Sequence, residues 1–278
     1  VWHAPSELTP HMSDLVRLGR NADGGYLLPR EVLEDITGCL SLGLGVEWSF
    51  ERALFDLKRG KIRAREIVFF DGSISVIGIL KMLFYMVRRT IYEVRIGTSP
   101  RKFNLVDFQR AFIGLFTYLP AFRFGKDRFR HEKKFVVRNP KSKNECSLAE
   151  ALSYSSDLRA TILKIDIEGG EWEILKTESD YDLLIDVPVL IMEIHDTRKK
   201  EFLELVKSLQ RDFWIAHLHG NTSGKCSESG MPWYLEMTFV NRRYSPLEGN
   251  RESLPIPGLD FPVRPGELPN EIRFAAVS

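Results

Sequence analysis

This chain has almost no net charge, little cysteine and no apolar run long enough for a bilayer. Each shortage removes a class of function. Lysine plus arginine (39) nearly balance aspartate plus glutamate (38), leaving a formal charge of +1. Neither a nucleic-acid footprint nor a strongly acidic partner is expected from that balance. The three cysteines, Cys39, Cys146 and Cys226, are far apart and odd in number. Without a CxxC pair or zinc spacing they read as thiols of a reducing compartment, which predicts a cytoplasmic protein. The most apolar stretch, Ile74 to Val87, is interrupted by Lys81 and falls short of the roughly 20 residues a membrane-spanning helix needs. No signal-peptide pattern precedes the body, and a start at Val1-Trp2-His3 fits one part of a longer multidomain chain. No GxxxxGK[ST] segment exists, so a P-loop is excluded.

What is present is a strong α/β signal. Thr161 to Ile167 is a β-branched run ending in Gly169-Gly170, with Glu171 and Glu173 in the first turn of a following helix. Asp166 and Glu168 therefore stand at the carboxyl edge of a sheet, where ligands bind in open α/β folds. Upstream, Cys39-Leu-Ser-Leu-Gly-Leu-Gly45 ends an apolar run in a glycine turn. A helix-like segment with Phe50, Leu54 and Leu57 follows, then Glu66-Ile-Val-Phe-Phe-Asp71. Strand, glycine turn, helix, strand and acid is the opening of a nucleotide-binding unit. Trp48 replaces the third glycine of GxGxxG, which argues against a dinucleotide and hence against a nicotinamide-dependent sugar oxidoreductase.

Residues 1–37 read as an irregular lead-in with an Asp23-Gly24 turn, and residues 74–132 as a helical insertion rich in aromatic and basic residues. That insertion reads as a lid, with Arg88, Arg123 or Arg128 placed to hold anionic groups. Phe135–Arg138, Val187–Ile194, Phe213–Leu218 and Tyr234–Asn241 read as further strands, and Lys199–Leu209 as an amphipathic helix. These elements predict one domain over 1–244. From Ser245 repeated prolines forbid regular structure, so 245–278 reads as an extended tail anchored by Leu259, Phe261, Ile272 and Phe274.

Together, Ser41-Leu-Gly-Leu-Gly-Val-Glu47, the strand-end Asp71 and Leu163-Lys-Ile-Asp-Ile-Glu-Gly-Gly-Glu-Trp-Glu-Ile-Leu175 resemble a class I S-adenosylmethionine-dependent methyltransferase of the FkbM-like family. Arg20–Tyr26, Met192–His195, His217–Asn221, Leu235–Phe239 and Leu259-Asp260 share the resemblance, which covers the chain except the insertion. It implies a Rossmann-like seven-stranded sheet with helices on both faces and a reversed last strand. It also implies methyl transfer to a hydroxyl of a carbohydrate, glycolipid or other glycan-type acceptor, at a place peripheral to membrane-bound glycan assembly. By the same resemblance Gly43, Gly45, Glu47, Asp71, Gly72 and Tyr26 line S-adenosylmethionine, with Asp166 facing donor and acceptor.

Deprotonating an alcohol at neutral pH needs a base or a cation. His195, beside Glu193 at a strand end, is the first choice of base, and His219 with His217 and Asn221 forms a second polar cluster. Alternatively Asp166, Glu193 and His195 offer a Mg²⁺ site. Glu236 is placed to orient a histidine. A non-catalytic binding module of a larger glycan-pathway protein, built on the same fold, is the competing reading. Ligand binding without turnover would favour it.

Overall fold

The computed structural model describes residues 1–11, 14–45, 47–58, 66–74, 80, 81, 83–85, 88, 129–222, 224–245, 249, 253–263 and 266–274. Its strands in chain order are β1 (Trp2–Ala4), β2 (Leu15–Leu18), β3 (Tyr26–Pro29), β4 (Gly38–Leu42), β5 (Ile67–Phe70), β6 (Phe129–Glu132), β7 (Phe135–Val136) and β8 (Glu145–Cys146). They continue with β9 (Thr161–Ile165), β10 (Val189–His195), β11 (Phe213–Gly220), β12 (Tyr234–Asn241), β13 (Ser253–Leu254) and β14 (Ile272–Phe274). The helices are α1 (Ser49–Leu57), α2 (Leu148–Leu152), α3 (Glu171–Ile174), α4 (Glu178–Asp182) and α5 (Phe202–Leu209).

Seven strands form the central sheet in the order β11-β12-β10-β9-β4-β5-β6. Pairs β10–β9, β9–β4, β4–β5 and β5–β6 are parallel, whereas β12 runs antiparallel to both β10 and β11. Continuous apolar runs such as Ile67–Phe70 and Val189–Met192 suit strands covered on both faces. One face packs Leu40, Leu163, Leu190 and Met192 against α2, α3 and α5. The other packs Cys39, Ile67, Ile162 and Ile191 against Phe50 and Leu54 of α1 and against Tyr26 and Leu28 of β3. Burying a side chain such as Phe50 contributes about 1.5–3 kcal/mol. Helix α2 starts from a Ser147 cap whose oxygen accepts from Glu150 N at 3.1 Å.

Four sequence expectations need correction. The lead-in is not irregular throughout: β2 and β3 form a hairpin-like antiparallel pair, and β1 joins a small sheet. Residues 129–132, assigned to the insertion, are the edge strand β6; most of the remaining insertion lies outside the described residues. Phe135-Val136 does form a strand, but it pairs with β8 in a separate two-stranded sheet. The proline-rich tail also carries regular structure, because β14 pairs parallel with β1 and antiparallel with β13. Its prolines fall outside β13 and β14, so no ladder donor is lost there.

Candidate functional site

The polar groups collect on the α1 face at one edge of the sheet. Ser41 pairs in register with Lys164, Lys164 with Ile191, Ile191 with Thr238, and Thr238 with His217. One step further toward the edge, Glu193 stands opposite Glu236, and Glu236 opposite His219. Asp166 follows directly on β9. Residues two apart on a strand share a face, so the row is a consequence of strand periodicity.

The glycine turn is held against this row. Gly43 has φ +91°, and a Cβ there would lie 1.7 Å from the Asp166 carbonyl oxygen. Only glycine tolerates both the dihedral and the approach. Gly45, at φ +57°, faces open space, since a Cβ would meet nothing nearer than Glu47 N at 3.9 Å. Asp71 fixes the turn from the next strand: Oδ2 accepts from Leu44 N and Gly45 N at 3.1 Å each. Its Oδ1 accepts from Ser73 N, Ser73 Oγ and Ile74 N at 2.7, 2.6 and 3.1 Å. Burial alone would raise the Asp71 pKa, but the bonds from Ser73, Gly45 and Leu44 outweigh it and hold the carboxyl below its ordinary range. Five donors saturate a carboxylate. Gly72 answers to packing, because a Cβ would sit 2.3 Å from the Phe135 ring.

Glu47 pairs with Arg20 at 2.7 Å and accepts from Ser49 N at 3.0 Å at the start of α1. Ser49 Oγ donates to Gly24 O at 3.1 Å, which ties the loop before β3 over the turn. Tyr26 is buried edge-on to Phe50 at 5.4 Å. Burial, then the charges of Asp166, Glu236, Glu193 and Asp23, push its hydroxyl pKa well up.

His195 ends β10 with its side chain 12% exposed. Glu171, 0% exposed in α3, accepts from His195 N at 2.7 Å and from Nδ1 at 3.2 Å. A carboxylate only accepts, so the proton of a neutral imidazole sits on Nδ1 and Nε2 presents a lone pair. Nε2 lies 3.5 Å from Glu168 Oε2 and 3.9 Å from Glu193 Oε1. Burial lowers the His195 pKa, but the Glu171 hydrogen bond and the charges of Glu171, Asp166 and Glu168 raise it overall. Trp172 Nε1 donates to His195 O at 2.6 Å, and Tyr234 stacks obliquely on the ring at 5.3 Å. Two non-glycine residues with positive φ flank these groups, Glu168 at 53° and Asp196 at 62°. Such backbone strain clusters at functional sites.

Glu193 and Glu236 share one donor, Asn221 Nδ2, at 2.8 and 3.2 Å. Burial and then Asp166, Glu236 and Asp23 drive the Glu193 pKa well upward; burial, only partly offset by His219, takes Glu236 to about 7. The second histidine cluster is sealed. His217 Nε2 donates to Asp260 Oδ2 at 3.1 Å, and His219 Nδ1 lies 3.5 Å from Asp260 Oδ1. Burial opposes the Asp260 charge, yet His217 and His219 hold its pKa far below the ordinary range.

Thus Gly43, Gly45, Glu47, Asp71 and Tyr26 gather around the turn, and Asp166, Glu193 and His195 around the neighbouring strand ends. Gly72 packs away against Phe135, and His219 is drawn under the tail. Asp166, Glu168 and His195 can bring one ligand atom each within 4.8 Å of one another. Among the described residues Glu168 thus joins Asp166 and His195 in a set that could hold a cation, while Glu193 Oε1 lies 3.9 Å from His195 Nε2.

Residues 111–218 match the family model of the methyltransferase FkbM domain. The match takes in β6 to β10, most of β11 and the whole Leu163–Leu175 segment, and it agrees with the resemblance carried by those motifs. No curated protein and no solved structure gives a match. Within the matched stretch two residues escaped the sequence reading. Glu171 looked like a helix-start acid, and its bond to His195 spans 24 residues. Lys164, buried mid-strand beside Asp166, carried one signal, a charge inside an apolar run.

Proposed function

We propose that the protein is an S-adenosylmethionine-dependent O-methyltransferase acting on a hydroxyl of a carbohydrate or glycan-type acceptor. S-adenosylmethionine is the usual donor of methyltransferase domains, and when bound it supplies an electrophilic methyl on a sulfonium. The residues suit such a donor: Gly45 offers bare backbone beside open space, and Glu47 and Asp71 flank it. Asp71 takes ribose hydroxyls only by exchanging the Leu44 and Gly45 N–H groups for them.

The observation that carries the reading is the Glu171–His195 pair beside the glycine turn. Glu171 fixes the ring and its tautomer, and Nε2 faces Glu168 and Glu193, where an acceptor hydroxyl can reach it. With donor bound, the O–H proton would pass to Nε2 as the acceptor oxygen takes the methyl and the methyl–sulfur bond breaks, its electron pair staying on the departing thioether. Glu171 and Glu168 then stabilise the imidazolium. Such base catalysis contributes about 10²–10⁴-fold. A histidine base is favoured over a bound cation because the Lys164 ammonium already lies 3.7 Å from Asp166 Oδ2. Free Cys39, Cys146 and Cys226 support a cytoplasmic setting. The amphipathic mixture of aromatic and basic residues in 74–132 supports a glycan acceptor.

Heat stabilisation by S-adenosylhomocysteine tests the donor. A ligand at a hundredfold excess over its Kd adds about 2.7 kcal/mol to the native state. An unchanged melting temperature at saturating ligand rejects the proposal.

A further inference from the structure

Lys164 is a buried charge that neither the base nor the glycine turn uses. Lys164 lies in the middle of β9 with its side chain 4% exposed. Its Nζ sits 3.6 Å from Glu51 Oε1 and 3.7 Å from Asp166 Oδ2, and 5.6 Å over the Tyr26 ring. Ser41, its register partner on β4, donates to the same Glu51 oxygen at 2.6 Å. Glu51 Oε2 is buried with no hydrogen-bond partner. Taking an ammonium and a carboxylate out of water costs several kcal/mol per ion. A residue that only filled space here would be apolar.

The placement suggests what the charge does. Glu51 belongs to the first turn of α1, the helix that leaves the glycine turn. Asp166 directly follows β9, on the other side of the Gly43 contact. One ammonium joins the two. The ion pairs persist in spite of burial, because Glu51, then Asp166 and Glu193, more than offset desolvation and raise the lysine pKa. We propose that Lys164 is a positioning residue for the donor pocket, clamping the Asp166 carboxylate to α1 so that it stays aimed at the donor. The inference rests on the methyl-transfer reading, in which Asp166 is the donor-facing acid.

Calorimetric titration with S-adenosylhomocysteine tests it on the intact chain, alongside donor and acceptor kinetics. Lys164→Met is expected to weaken binding by roughly tenfold or more, because the buried ion pair that aims Asp166 is lost. The donor KM should rise in step while the acceptor KM holds. Lys164→Arg should recover most of the affinity. Glu51→Gln, which keeps the ammonium beside Asp166, should fall between. A folded Lys164→Met that binds as the native protein does, or an arginine that rescues nothing, overturns the proposal. If Lys164→Met fails to fold, Glu51→Gln decides, and unchanged affinity there overturns it. Failure of the native protein to bind at all removes the methyl-transfer reading, and this inference with it. Loss in the variants alone cannot be mistaken for that outcome.

Discussion

His195 on β10 and the His217–His219 pair on β11 lie on strands separated only by β12, each set against a buried carboxylate, Glu171 or Asp260. The first ring keeps Nε2 beside the 88% exposed Glu168 and between two strained residues. The second set is closed over by the tail: Arg17 donates to Leu259 O at 3.1 Å and stacks 5.2 Å from the Phe261 ring, while Ile256 N donates to Asp260 at 2.7 Å. Identical residue types thus stand in different surroundings. A histidine whose second nitrogen is left reachable is equipped to move a proton. Two histidines that converge on one carboxylate fasten a segment.

The contrast is broken most sharply by His195→Gln. Turnover should fall about 10²–10⁴-fold, with S-adenosylhomocysteine affinity and melting temperature nearly unchanged. An equal loss from His219→Gln, measured under the same conditions, would move the base to β11. Asp260→Asn should do the opposite. Removing one partner of a buried ion pair costs about 3–5 kcal/mol, read from urea midpoints, while the folded fraction keeps its donor affinity. Glu171→Gln should have the smallest effect, roughly tenfold in turnover from a misoriented ring. It also has a signature. Glu171 raises the His195 pKa, and a base acts only when deprotonated, so loss of Glu171 should shift the acidic, rising limb of the rate profile to lower pH. A limb that stays in place would detach Glu171 from the base.

Much of the parallel sheet was readable because β4, β5, β9 and β10 are runs of buried apolar residues, and because Asp71 and Asp166 mark where such runs stop. The edge strand β6 was not. Its Phe-Arg-His-Glu sequence has one buried residue in four, and nothing local separates it from the basic-aromatic segment before it. The small sheet of β1, β13 and β14 escaped for another reason. Its pairing joins Trp2 to Ile272, and strands of two or three residues give no measurable periodicity. In the site, motif residues were legible as types at a sheet edge. Their partners were not: Glu171 meets His195, and Asp260 meets His217 across 43 residues, by contacts that topology alone creates. Glu51 and Lys164 stayed hidden because each looks like a stray charge in its own helix or strand.

The Gly43 seam has a consequence for specificity. Two loops meet there backbone to backbone, with no side chain between them. Their spacing is therefore set by peptide dimensions, and it stays constant whichever residues decorate either loop. Any adjustment of the proposed pocket has to come from side chains away from this seam, because the seam itself offers none.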